Sequence, residues 1–188
     1  MVVLITGASH TGKTLLAQRL LEQYKYPYLS IDHLKMGLIR SGQTTLTPLD
    51  DAALTQYLWP VVREIIKTAV ENRQNLIVEG GYVPFDWRRD FGAEYLRAIR
   101  FFCLAFTDKY IDAHFDAIKK HACAIESRLG DAGCTIASLK ADNRRCREGF
   151  QAAGEPVVLI GDDYEQAVEA LLSLSIDCLP AQEAGNDM

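Results

Sequence analysis

Val2-Val3-Leu4-Ile5-Thr6-Gly7-Ala8-Ser9-His10-Thr11-Gly12-Lys13-Thr14-Leu15-Leu16 joins an unbroken apolar run, a polar loop bounded by glycines and the start of a helical stripe. Gly7, Gly12, Lys13 and Thr14 satisfy GxxxxGK[ST], and the loop lies between a strand-like run and a helix-like one, the context that this phosphate-binding motif requires. Glycines let backbone amides approach phosphate oxygens, and the helix N-terminus adds partial positive charge. Lys13 then spans the β and γ phosphates and Thr14 ligates magnesium. At average residue frequencies the four fixed positions coincide by chance in roughly one chain in a hundred and fifty, and the flanking elements make a chance match rarer still. A dinucleotide GxGxxG is absent because Ala8 and Ser9 follow Gly7, so no nicotinamide cofactor is implied. No NKxD segment reads guanine, which leaves ATP with Mg2+ as the expected pair. The whole loop, Gly7, Ala8, Ser9, His10, Thr11, Gly12, Lys13 and Thr14, is assigned to the nucleotide, His10 as a filler.

Outward from this loop, short apolar runs alternate with longer stretches of helical period, the pattern of a parallel α/β sheet covered on both faces. The candidate strands are 2–6, 28–31, 75–79, 99–106 and 156–160. Candidate helices span 12–24, 33–41, 49–72, 110–128, 136–152 and 164–174. Two polar stretches, 42–48 and 130–154, are long for plain crossovers and are the places for substrate and lid elements.

Two carboxylates emerge where strands end. Asp32 follows the second run, at the sheet edge where ligands of parallel sheets bind, and can take a proton from an attacking hydroxyl or hold magnesium through water. Asp also favours the N-cap of a helix starting near His33, and the two roles are compatible. Glu79 closes the third run before Gly80 and Gly81, an acid after an apolar strand as in a Walker B segment, and is a candidate for metal and substrate. Gly80 lets a ligand approach the backbone. Lys35, Arg40 and Arg88 are candidate acceptor contacts, Arg88 because a guanidinium grips an anion by paired bonds. Arg128 and Arg144 are candidate catalytic cations on a closing segment, with Arg145 on the nucleotide. Asp90-Phe91-Gly92 spells a protein-kinase triplet, but no HRD loop accompanies it and it is treated as coincidence.

The 188 residues are 48% hydrophobic and 24% charged, enough for one core, so residues 1–179 are expected to form a single domain with 180–188 as a fraying tail. A net charge of −5 disfavours nonspecific nucleic-acid binding. The first apolar run has no basic residues before it and fits neither a signal peptide nor a membrane span, so a cytoplasmic protein is expected. Five cysteines without a CxxC pair read as reduced packing residues.

With these residues assembled, the chain resembles the nucleoside-monophosphate-kinase-like group of P-loop kinases, which includes adenylate, shikimate and gluconate kinases and the kinase part of polynucleotide kinases. The likeness runs through Val3–Leu20, Leu29-Ser30-Ile31-Asp32-His33-Leu34-Lys35 and Val78-Glu79-Gly80. It implies a three-layer fold with a five-stranded parallel sheet in order 2-3-1-4-5, an acceptor-binding helical region at about 33–72 and a lid at about 129–143. Lys35 resembles a position where adenylate kinases carry an acceptor-phosphate arginine. Asp32 looks more like the hydroxyl-facing aspartate of the shikimate, gluconate and polynucleotide kinase types. The function this implies is transfer of the γ-phosphoryl group of ATP to a small-molecule hydroxyl. A polynucleotide 5′-kinase and a non-catalytic ATP-binding regulator are the alternatives.

Overall fold

A strand sandwiched between helical layers needs apolar side chains on both faces, and β1 (Val2–Gly7) is buried at every position. The computed structural model describes residues 1–121 and 134–176. β1 is the central strand of a five-stranded sheet ordered β2-β3-β1-β4-β5, in which β2 is Tyr28–Ser30, β3 Leu76–Glu79, β4 Ile99–Phe106 and β5 Val157–Ile160. All four pairings are parallel, so the carboxyl ends of the strands share one edge. Ile5 pairs with Glu79, and Glu79 with Ser30, which brings the start of the loop at Gly7 and both strand-end carboxylates to that edge.

The helices are α1 (Lys13–Tyr24), α2 (Ile31–Arg40), α3 (Asp51–Glu71), α4 (Ala93–Leu96), α5 (Asp108–His121), α6 (Ile136–Ala152) and α7 (Tyr164–Ile176). Because strand side chains alternate, Val3 and Ile5 face one layer and Val2 and Leu4 the other. The first layer is α1 with α7, through Leu16, Leu20, Val168 and Leu171. The second is built from Leu54, Leu58, Trp59, Val62 and Ile66 of α3, together with Trp87, Phe101 and Phe150. A third cluster, Phe106, Ile111, Ile118, Leu139 and Ile160, fixes α5 and α6 against the β4–β5 end.

Sheet order and the five strands agree with the sequence reading, with boundaries shifted by a residue or two. After β3 the chain makes a 3-10 turn, Trp87–Asp90, followed by the short α4; both escaped the sequence because neither is long enough to show a period. α2 begins at Ile31 rather than near His33, with Ser30 at its N-cap, so Asp32 lies in the first turn and is not the cap. The segment expected as a lid, 129–143, is described only in part. Ile136–Asn143 is the first half of α6, capped by a reciprocal Thr135–Ser138 box, and Leu139 and Asn143 are buried. Residues 129–133 of that expectation, Arg128 and the tail at 180–188 lie outside the described residues.

Cys103 of β4 and Cys146 of α6 are free thiols with sulfurs 3.7 Å apart in the core, in keeping with a packing role. The bond to Cys146, with burial, pushes the Cys103 thiol up. No helix among the described residues is long and apolar enough to cross a membrane.

Candidate active site

The turn from β1 into α1 is made by glycine. Gly12 caps α1 in the left-handed region at φ 77°, and a Cβ there would lie 1.8 Å from the hydroxyl oxygen of Tyr164, the first residue of α7. Burial pushes that phenol up to about 12, so it stays a neutral wall beside the loop. No side chain caps α1 and its first turn carries no acid, so its leading amides and the positive end of its dipole are left for an anion. Thr11, fully buried, donates to the Ala8 carbonyl at 2.8 Å. The Lys13 ammonium, 8% exposed, donates to the same carbonyl at 2.7 Å and is thereby folded back over its own loop. Gly7 ends β1 and Ala8 is buried. Ser9 and His10 share a hydrogen bond of 2.8 Å between Oγ and Nδ1, and His10 takes a positive φ of 67°. These residues fit a polyphosphate.

The hydroxyl of Thr14 donates to Glu79 at 3.3 Å, and the Glu79 carboxylate is 1% exposed. A hydroxyl and a carboxylate are hard oxygen donors of the kind magnesium takes when phosphates and water complete its shell. No cluster of three or more His, Cys, Asp or Glu suited to a metal occurs among the described residues. Thr14 and Glu79 are the two protein groups that would hold magnesium.

Asp32 and Lys35, one turn apart in α2, form an ion pair of 2.5 Å, and the Lys35 ammonium also donates to the Tyr82 hydroxyl at 2.8 Å. Burial pulls the Lys35 ammonium down, but its bonds to Asp32 and Tyr82 outweigh that and leave it above the ordinary lysine value. Gly80 holds this arrangement against the sheet. At its φ of 155° a Cβ would come within 2.7 Å of the Ile31 Cβ, so only glycine lets the start of α2 lie this close to the end of β3.

The other predicted cations are placed differently. Arg40 is exposed at the last position of α2, about 12 Å along the helix from Asp32. Arg88 stacks on Trp87 and is paired with the buried carboxylate of Glu155, so it braces the 3-10 turn against the approach to β5. Arg144 reaches Asp108 of α5 at 3.1 Å. Arg145 pairs with Asp142 at 2.8 Å, and Asp142 in turn accepts the Ser9 amide at 2.7 Å, which links Arg145 to the loop. The neighbour of Asp142 fixes this geometry, because buried Asn143 accepts from the Phe106 amide and donates to the Leu139 carbonyl. Tyr82, Asp142, Asn143 and Glu155 were missed in the sequence. Tyr82 carried a faint signal, an aromatic directly after the glycine pair; the others are single polar residues in helices or loops with no motif about them.

The AAA domain family matches residues 2–106, more than half of the chain, from β1 through the loop, both strand-end carboxylates and β4. The chain belongs to the AAA domain family. Among curated proteins no sequence matches this AAA domain protein. Its structure is similar to a shikimate kinase from Bacteroides thetaiotaomicron, with a TM-score of 0.55 at 17% identity, covering 93% of this chain and 98% of that one. A sugar kinase from Janibacter sp. HTCC2649 has a TM-score of 0.53 at 18% identity, with 96% of each chain covered. A deoxyadenosine kinase from M. mycoides has a TM-score of 0.53 at 12% identity, covering 93% of this chain and 98% of that one. At such identities the likeness establishes the fold, a kinase-like P-loop fold.

Proposed function

We propose that this AAA domain protein is an ATP- and magnesium-dependent phosphotransferase that moves the γ-phosphoryl group of ATP to a hydroxyl of a small-molecule acceptor. The observation that carries the reading is the single sheet edge where Lys13, the Thr14–Glu79 pair and Asp32 meet, with Ser30 and Glu79 in register. The amides of the loop and Lys13 bind and orient the phosphates, which concentrates positive charge where the transferring group gathers negative charge. Thr14 and Glu79 would hold magnesium, which would supply neutralisation of phosphate charge. Asp32 accepts the proton of the acceptor hydroxyl as its oxygen bonds to the γ phosphorus; the bond from that phosphorus to the bridging oxygen breaks, and ADP leaves. Lys35 holds the Asp32 carboxylate in place through the 2.5 Å ion pair. Arg145, on α6 and tied to the loop through Asp142, would contact the nucleotide.

The test is a product assay. Purified protein with ATP and magnesium is given a panel of sugars, sugar acids, nucleosides, nucleotides and oligonucleotide ends, and the products are weighed by mass spectrometry. An acceptor heavier by one phosphoryl group, formed in step with ADP, supports the reading. ADP formed at one rate whatever the acceptor, with only free phosphate beside it, would sink it.

A further inference from the structure

We infer that the acceptor is a hydroxyl compound that carries no anionic group, an uncharged or ammonium-bearing molecule of the sugar or nucleoside kind; this deepens the kinase reading and rests on it. Three segments distant in sequence converge on the acceptor side of the edge: the first turn of α2 with Asp32 and Lys35, the loop after β3 with Tyr82, and the first residue of α3, Asp51. They form one hydrogen-bonded chain. Lys35 donates to Asp32 at 2.5 Å and to Tyr82 at 2.8 Å, and the Tyr82 hydroxyl donates to Asp51 at 3.4 Å.

The position of Lys35 in the sequence suggested a cation waiting for an acceptor's phosphate. The residue is instead only 9% exposed and its ammonium is neutralised by Asp32, so the hydrogen-bonded chain has two carboxylates against one cation. The neighbouring cations are committed as well. Arg88 is held by buried Glu155, Arg89 by Asp86 at 2.8 Å, Arg145, which feels the charge of Asp51, by Asp142 at 2.8 Å, and Arg40 stands at the far end of α2. Lys13 belongs to the phosphate loop. Ser30 adds a neutral hydroxyl, 2% exposed and without a hydrogen-bond partner among the described residues, level with Glu79.

A carboxylate or phosphate on the acceptor would thus enter beside half-buried Asp32 and exposed Asp51, where the described cations already have carboxylate partners, and like charges at contact range with Asp32 repel. Neutral hydroxyls meet the opposite situation. Asp32 accepts from the attacking hydroxyl, and Asp51 offers an acceptor to its neighbours. Tyr82 is a positioning residue, acting on the acceptor through Lys35 and Asp51.

The experiment uses acceptors in matched pairs that differ by one anionic group: nucleosides against their 5′-monophosphates, and hexoses against hexose phosphates and sugar acids, with amino sugars as the cationic arm. ADP release is measured with ATP and magnesium, and binding of the same compounds by calorimetry with ADP and magnesium present. The uncharged or ammonium-bearing member should exceed its anionic partner by at least about tenfold in kcat/KM and in affinity. Tyr82→Phe should raise the acceptor KM several-fold more than the KM for ATP, and Asp51→Asn should narrow the discrimination several-fold. An anionic member that binds or reacts better than its uncharged partner overturns the inference, as does unchanged discrimination in Asp51→Asn. The charge preference seen in binding without ADP release from any member would uphold the acceptor assignment while removing the kinase reading.

Discussion

The two halves of the strand edge are built by different means. On the nucleotide side, eight consecutive residues turn between β1 and α1, and three contacts that shape the loop are within it: Thr11 and Lys13 to the Ala8 carbonyl, Ser9 to His10. The acceptor side is assembled from Asp32, Lys35, Asp51 and Tyr82, which three separate stretches of chain deliver to one point. A local device works wherever a strand runs into a helix, so it tolerates wide change in the rest of the chain. An assembled one depends on how α2, α3 and the loop after β3 pack, and it can change its ligand without disturbing the loop.

That contrast can be broken or sharpened by substitution. The largest expected effect is Lys13→Ala, which should lower acceptor-dependent ADP release by about a thousandfold, as removal of a charge-stabilising donor does; a coupled ADP assay would read it, and near-normal turnover would mean that the loop is not the phosphate site. Asp32→Asn is expected to cost about a hundredfold in kcat, within the range for loss of a general base, while titration with a fluorescent ATP analogue finds nucleotide affinity little changed. Comparable losses of nucleotide affinity in both variants would show that the halves are not separable.

Gly80→Ala tests the joint between them. Its strained φ and the approach to Ile31 predict a loss of about 1–3 kcal/mol in urea unfolding, with the acceptor KM rising more than the KM for ATP because α2 carries Asp32. Full stability in that variant would mean that Ile31 can give way freely. The smallest effect is the pH dependence of the Lys35 pair. The folded value of Lys35 lies above its ordinary 10.5, so the pair's contribution is fully present below that pH and is lost as pH rises through the folded value. The melting-temperature gap between the protein and Lys35→Met should therefore hold through neutral pH and narrow only above about 10.5.

Much of the nucleotide side was legible because its signals are local. The glycine spacing, the lysine and threonine, and the change from a period of 2 to 3.6 lie within one short stretch. Glu79 and Asp32 could be found too, since a strand that ends in an acid is visible as such. The role of Lys35 was not. Its spacing from Asp32 is ordinary for a helix, and only the arrival of Tyr82 at 2.8 Å and the exclusion of water explain why the ammonium is committed rather than available. Arg88 teaches the same lesson, because the partner that engages it, Glu155, lies 67 residues away in the chain.

The sequence by itself determined the alternation of strands and helices, the phosphate loop and the presence of two carboxylates at strand ends, because each follows from backbone geometry and side-chain periodicity over a few neighbouring residues. Tertiary structure alone decided which charges are paired. Ion pairing depends on distance and on burial, and residues such as Asp142 and Ser9, or Lys35 and Tyr82, acquire both only when the sheet and its helical layers bring them together.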